Sequence, residues 1–178
     1  MSREEYRRWA EAQPRGRFER VAGEVVAMAP ERVAHNRAKA RVWRALDAAL
    51  RAAGSPCEAF TDGMTVEIDD DHDYEPDAVV NCGEPLDADA VAAPSPVIIV
   101  EVLSPSSRST DTGAKLADYF RLPSVRHYLI LRTRQRQVIH HRRRDDGEGI
   151  ETRVVAGGAI RLDPPGIAIA VADLYPEA

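Results

Sequence analysis

The segment Val97-Ile98-Ile99-Val100-Glu101-Val102-Leu103 constrains this chain more than any other. A continuous β-branched run is the pattern of a strand covered on both faces, since a strand with one wet face alternates apolar and polar residues. The run predicts a strand inside a layered sheet, and it is far shorter than the roughly 18 apolar residues of a membrane helix. Glu101 breaks it. Alternation puts Glu101 on the face of Val97, Ile99 and Leu103, where an ionised carboxylate is costly unless a cation or hydrogen-bond donors meet it. Either such partners exist inside the fold, or Glu101 sits at a strand margin and points at water.

The flanking patterns supply the layers. Ser2-x-x-Glu5 has capping-box spacing before a short helix that carries Tyr6 and Trp9. Phe18–Val21 and Val25–Met28 read as a hairpin turning at Ala22-Gly23. From Val33 to Ala53, Val42, Trp43, Leu46, Leu50 and Ala53 follow helical spacing, with Gly54 and Pro56 as stop signals. A β-rich stretch follows at Glu58–Phe60, Met64–Ile68 and Asp77–Val80, and the acidic loop 69–73 reads as a solvated turn. That loop lacks the glycine and terminal glutamate of a calcium loop. A helix capped by Thr110 or Asp111 and ending at Arg121 comes next, then a hairpin of Val125–Leu131 with Gln137–His141. Short strands near 152–155, 160–162 and 167–171 complete the chain. The order predicts an α/β fold, a mixed central sheet flanked by helices.

At 178 residues, 44% apolar and 30% charged, the chain reads as one globular domain spanning 1–178. Its parts are an N-terminal helix and hairpin (1–30), a core (31–131) and a β-rich C-terminal part (132–178). The net charge of −5 excludes a generally basic nucleic-acid coat but not a local basic groove. Cys57 and Cys82 make neither a disulfide framework nor a zinc site, and with a charged N-terminus lacking a leader they predict a cytoplasmic protein with free thiols. No glycine-rich phosphate loop, serine elbow or Cys-His pairing is present. The basic run His140–Arg144, near Arg132, Arg134 and Arg136, reads as phosphate-binding or as a solvated hairpin end partly cancelled by Asp145-Asp146. His127 reads as an ordinary half-buried histidine, and Trp9 and Trp43 as core residues.

Chemistry concentrates around a second carboxylate. Asp77 follows Pro76 at the start of Ala78-Val79-Val80, and if that strand neighbours the Glu101 strand, both acids converge at one sheet edge. Two converging carboxylates make a hard oxygen site suited to Mg²⁺ or Mn²⁺. Lys115, fourteen residues after Glu101, either reaches back to these acids or pairs at the surface with Asp111.

These residues also stand in an ordered set. Phe18-Glu19-Arg20-Val21-Ala22-Gly23-Glu24-Val25-Val26-Ala27-Met28-Ala29-Pro30, the helix residue His35, Glu75-Pro76-Asp77-Ala78-Val79-Val80, Val100-Glu101-Val102-Leu103-Ser104-Pro105-Ser106-Ser107, Asp111-x-x-x-Lys115-x-x-x-Tyr119 and Val125-Arg126-His127-Tyr128-Leu129-Ile130 follow one another. The set resembles the Uma-two family of restriction-endonuclease-like proteins, members of the PD-(D/E)XK nuclease superfamily. The resemblance implies a metal-dependent endonuclease acting on DNA as a homodimer, with Asp77 and Glu101 as catalytic ligands of Mg²⁺ or Mn²⁺. It further implies Glu24 as an additional metal-binding acid and His35, Ser104 and Arg108 as substrate contacts. Leu103 stands where the superfamily strand lysine would be, and Lys115 matches the family's replacement from the following helix. The alternative is a catalytically silent nuclease fold that binds DNA or protein.

Overall fold

The computed structural model describes residues 1–103 and 109–176. In chain order the elements are α1 (Arg3–Glu11), β1 (Phe18–Val21), β2 (Glu24–Ala27), α2 (Val33–Ala52), β3 (Glu58–Thr61), β4 (Val66–Glu67), β5 (Asp73–Tyr74), β6 (Ala78–Asn81), β7 (Pro96–Leu103), α3 (Ser109–Tyr119), β8 (His127–Arg132), β9 (Gln137–Arg143), β10 (Ile150–Val155), β11 (Ala159–Leu162) and β12 (Ile167–Ala170), closed by a 3-10 turn at Val171–Leu174. The main sheet has the order β10-β9-β8-β7-β6-β3, and a smaller one has the order β2-β1-β5-β4.

Strand β7 lies inside the main sheet, antiparallel to β6 and parallel to β8. Ile98, Val100 and Val102 face a core built with Val42, Leu46 and Leu50 of α2 and with Ile160 and Ile169 of the β11–β12 hairpin. Ile99 faces the opposite core, with Tyr74, Tyr119 and Tyr128. Both faces are covered, which is why the apolar run shows no alternation. Truncating a side chain such as Ile98 or Ile99 to alanine in such a core costs about 2–5 kcal/mol.

Helix α2 buries a stripe of Ala38, Val42, Leu46 and Leu50, and Lys39 joins them on the buried side. Its end is closed by two bonds, Ser55 N–H to Leu50 O (3.0 Å) and Gly54 N–H to Arg51 O (3.1 Å). Gly54 adopts φ +60°, a conformation in which a side chain would be strained. The β1–β2 turn also needs positive φ, at Ala22 (51°) and Gly23 (74°), as two-residue hairpins require.

Several local expectations change. Asp73, placed by sequence in a solvated acidic turn, is a buried residue of β5: it accepts from Arg20 Nε (2.7 Å) and Arg3 Nε (2.8 Å). An acidic run reads as wet only until a buried guanidinium such as Arg20 claims one of its members. Thr110 and Asp111 lie inside α3, which begins at Ser109, so neither is the residue that starts the helix. In the basic run, His140 and His141 are buried, Arg142 and Arg144 engage Asp145 and Asp146, and Arg143 donates to the carbonyls of Phe120, Leu122 and Val125. His127 is fully buried rather than half-buried, with Nδ1 2.9 Å from His140 Nε2. Burial pushes these two imidazoles down to about 3 and about 4, so both are neutral at physiological pH.

Cys57 and Cys82 are joined by a disulfide, not free. They flank β3 and β6, whose register pairs Glu58 with Asn81, so the next positions out face each other across the ladder. Closing a loop of this length contributes about 3 kcal/mol in the chain-entropy account. Reduction with dithiothreitol, or the Cys57→Ser/Cys82→Ser double variant, is therefore expected to lower the melting temperature by several degrees; superposable melting curves would contradict the bond.

Candidate active site

Register brings the predicted carboxylates together. Ala78 pairs with Val100 across β6 and β7, so Asp77, one step before β6, stands beside the C-terminal half of β7. Its Oδ2 accepts the Val102 N–H at 2.7 Å, and the residue is 5% exposed. Charge-assisted bonds of this kind are short and hold a carboxylate in one orientation. Oδ1 turns toward α2, 3.3 Å from His35 Nε2 and 3.9 Å from Lys39 Nζ.

Glu101 meets the partners that its position demands. Oε1 accepts from Lys115 Nζ at 3.2 Å and from the Tyr119 hydroxyl at 2.9 Å. Residues 115 and 119 are four apart, so α3 presents both to the same point. Lys115 is itself buried, and it also donates to Glu19 Oε1 at 2.8 Å. Its ammonium lies 5.1 Å from the centre of the Tyr74 ring. Lys115 thus reaches back to Glu101 and Glu19, and the side chain of Asp111 lies outside the described residues.

Burial pushes the Glu101 carboxyl up to about 7, aided by the nearby charges of Asp77 and Glu19 and opposed by Lys115. The Tyr119 hydroxyl, buried against Glu101, is held well above its usual range and stays a donor. His35 is raised by its hydrogen bond to Asp77, against the opposing effect of burial. Glu75 is raised as well, chiefly by burial.

The other sequence candidates are distributed less simply. Glu24 is exposed at the tip of the β1–β2 hairpin, opposite Val21, and is not brought to the cluster. Its place is taken by Glu19, 7% exposed, whose Oε1 also accepts the Glu75 N–H at 3.0 Å. His35, expected at the substrate, instead touches Asp77 directly. Ser104 and Arg108 lie outside the described residues. Among the described residues, the group whose donor atoms all fall within 4.8 Å of one another is Glu31, His35 and Asp77. Asp77 thus stands between two clusters, one with His35, Glu31 and Lys39, the other with Glu101, Lys115 and Glu19.

A family model described as "Putative restriction endonuclease" matches residues 3–172. The chain belongs to the Uma2 family. Uncharacterized protein slr1290 of Synechocystis sp. is 28% identical to this Uma2 chain over 177 residues, covering 98% of the chain and 91% of the relative. A second Synechocystis relative, uncharacterized protein sll1609, is 28% identical over 152 residues, 84% of this chain and 85% of that protein. The fold is also that of a crystal structure from Anabaena variabilis described as a putative nuclease belonging to DUF820. The TM-score is 0.73 at 15% identity, over 93% of this chain and 94% of that one. The likeness establishes a mixed α/β nuclease-type fold for this Uma2 member.

Glu19 and Tyr119 stand in the sequence motifs without an assigned role there, and Lys39 is not singled out by sequence reasoning at all. One signal points to Glu19: adjacent charges Glu19 and Arg20 in a four-residue strand must face opposite sides, and in a layered fold both sides are covered. The elevated Glu101 carboxyl gives a pH test. Its folded pKa, about 7, lies above its ordinary value of 4.5, so the native state binds the extra proton and loses stability as pH rises between those values. Glu101→Gln does not titrate. With chelator present, its melting temperature relative to the parent is expected to increase from pH 5 to pH 7 and then level off; a difference independent of pH would contradict the buried, protonated carboxyl.

Proposed function

We propose that this protein is a metal-dependent endonuclease that hydrolyses phosphodiester bonds in DNA. The observation that carries the reading is the buried Lys115 ammonium held between Glu19 and Glu101, at the end of β7 where Asp77 also lies. Buried ionisable groups with perturbed proton affinities concentrate at functional sites. Membership of the Uma2 family and the nuclease-type fold support the same reading.

The carboxylate oxygens of Asp77 and Glu101 are the donors we assign to a hard divalent cation, and Glu31 and the imidazole of His35 have donor atoms within 4.8 Å of Asp77's. Such an ion, Mg²⁺ or Mn²⁺, supplies a Lewis acid that polarises the phosphodiester and makes water more acidic. The protein's own groups do the positioning. The Val102 N–H fixes Asp77, and Tyr119 fixes Glu101. Lys115 donates from a dry setting, where its charge stabilises the negative charge that develops on the phosphoryl oxygens. Ser104 and Arg108, outside the described residues, are proposed to contact the substrate, and two copies acting together would cut both strands.

On plasmid DNA, cleavage is expected with Mg²⁺ or Mn²⁺, to stop in chelator, and to be abolished in Glu101→Gln. Lys115→Ala is expected to slow cleavage by about 10²–10⁴-fold while still binding Mn²⁺, with little rescue by Lys115→Arg, whose planar guanidinium cannot replace a compact ammonium. Undiminished cutting by Glu101→Gln would overturn the mechanism, and a parent that binds DNA without cutting it would make the protein a silent binding module. Independently, millimolar Mn²⁺ is expected to raise the melting temperature of the parent by mass action but not that of Asp77→Ala; an unresponsive parent would count against the cation site.

A further inference from the structure

Many arginines in this chain are already neutralised. Arg17, Arg20, Arg121, Arg142, Arg144 and Arg153 all sit on carboxylates. Eight others have side chains with no hydrogen bond or ion pair among the described residues, and four of them, Arg32, Arg37, Arg41 and Arg44, lie on or just before α2. In a chain of net charge −5, those four are a concentration of uncancelled positive charge on one element.

Their placement is ordered. Arg37, Arg41 and Arg44 are spaced by four and three, which aligns them in one stripe running about 10 Å along the helix. Arg37 and Arg41 line a cavity of about 370 Å³ whose opposite wall includes Thr133 and Tyr175, joining the helix stripe to the β8–β9 turn. Thr133 Oγ1 donates to the Leu103 carbonyl at 3.1 Å, so this wall is tied to the end of β7, two residues beyond Glu101. The same helix sends His35 and Lys39 inward to Asp77. One helix therefore borders the carboxylate site with one face and carries the arginine stripe on the opposite, outward face.

We propose that the Arg37–Arg41–Arg44 stripe on the outer face of α2 is a track that holds the sugar-phosphate backbone of nucleic acid. The identity of the ligand rests on the nuclease reading; the track itself rests on the arginines. A row of permanently charged guanidiniums suits an extended polyanion with repeated phosphates rather than one small anion, because each fork binds one phosphate in bidentate fashion. The small residues Ala34 and Ala38, on the cavity side of the helix, leave the guanidiniums room to be approached.

The test is binding of a short fluorescent DNA duplex to the full chain in chelator, where no metal-dependent cutting occurs, read by anisotropy across a salt series. Arg37→Ala/Arg41→Ala/Arg44→Ala changes outward helix positions to the best helix former, so folding, checked by circular dichroism and melting, is retained. The triple variant is expected to bind about tenfold or more weakly, with a log–log salt slope smaller by about 0.9 for each phosphate that the arginines no longer neutralise. Arg161→Ala, at an exposed position of β11 outside the stripe, is expected to bind as the parent does. Unchanged affinity and slope in the triple variant overturn the track, even if the parent cuts DNA. Polyglutamate competing as well as DNA overturns the assignment to a nucleic-acid backbone. Loss of binding in the triple variant upholds the track, even if the parent cuts nothing and the nuclease reading falls.

Discussion

The Lys115 ammonium between Glu19 and Glu101 is the contact on which the arrangement of this molecule turns. The three groups come from α3, from β1 in the small sheet and from β7 inside the main sheet. An ammonium buried without carboxylates would be costly, and so would either carboxylate without the ammonium. The three groups therefore require one another, and that requirement helps hold the β1–β2 hairpin and α3 against one end of β7. Removing Lys115 alone would leave two buried acids facing each other, a worse state than an apolar core.

The same arrangement leaves charge over. Glu19 and Glu101 present two carboxyls to one ammonium with the charge of Asp77 nearby, and the proton held by Glu101 near neutral pH is the protein's own way of reducing the repulsion. A divalent cation would do so more completely. On the α2 side of Asp77, Lys39 already bonds Glu31 and Asp62, and Arg17 ties Glu75 and Asp62. One flank of the site is thus saturated with fixed cations. Among the described residues, the flank beside Glu101 depends on one lysine.

The strand β7, the helix α2 with its Gly54 stop, and the hairpin turning at Ala22-Gly23 were legible because each is decided by residues close together in sequence. The meeting of Asp77 with Glu101 was legible for a related reason: two apolar segments with a carboxylate at matching ends have few ways to pair. The choice between Glu19 and Glu24 was not legible from the pairing of the hairpin itself. Antiparallel pairing puts both on the same face of the hairpin, since Glu19 opposes Val26 and Glu24 opposes Val21. Only the docking of the hairpin against α3 decides which one is covered.

By itself the sequence determined the longer elements, the side of β7 that carries Glu101, and the family, since period, capping and turn chemistry act over a few residues. The tertiary structure decided the partners. Lys115 and Glu19 are 96 residues apart, Arg20 and Asp73 are 53 apart, and Cys57 and Cys82 are 25 apart. None of these pairs has a local signature. Which carboxylate loses its water, and which cation must then meet it, depends on how whole layers pack, because desolvation is a property of the assembled fold rather than of the segment that carries the charge.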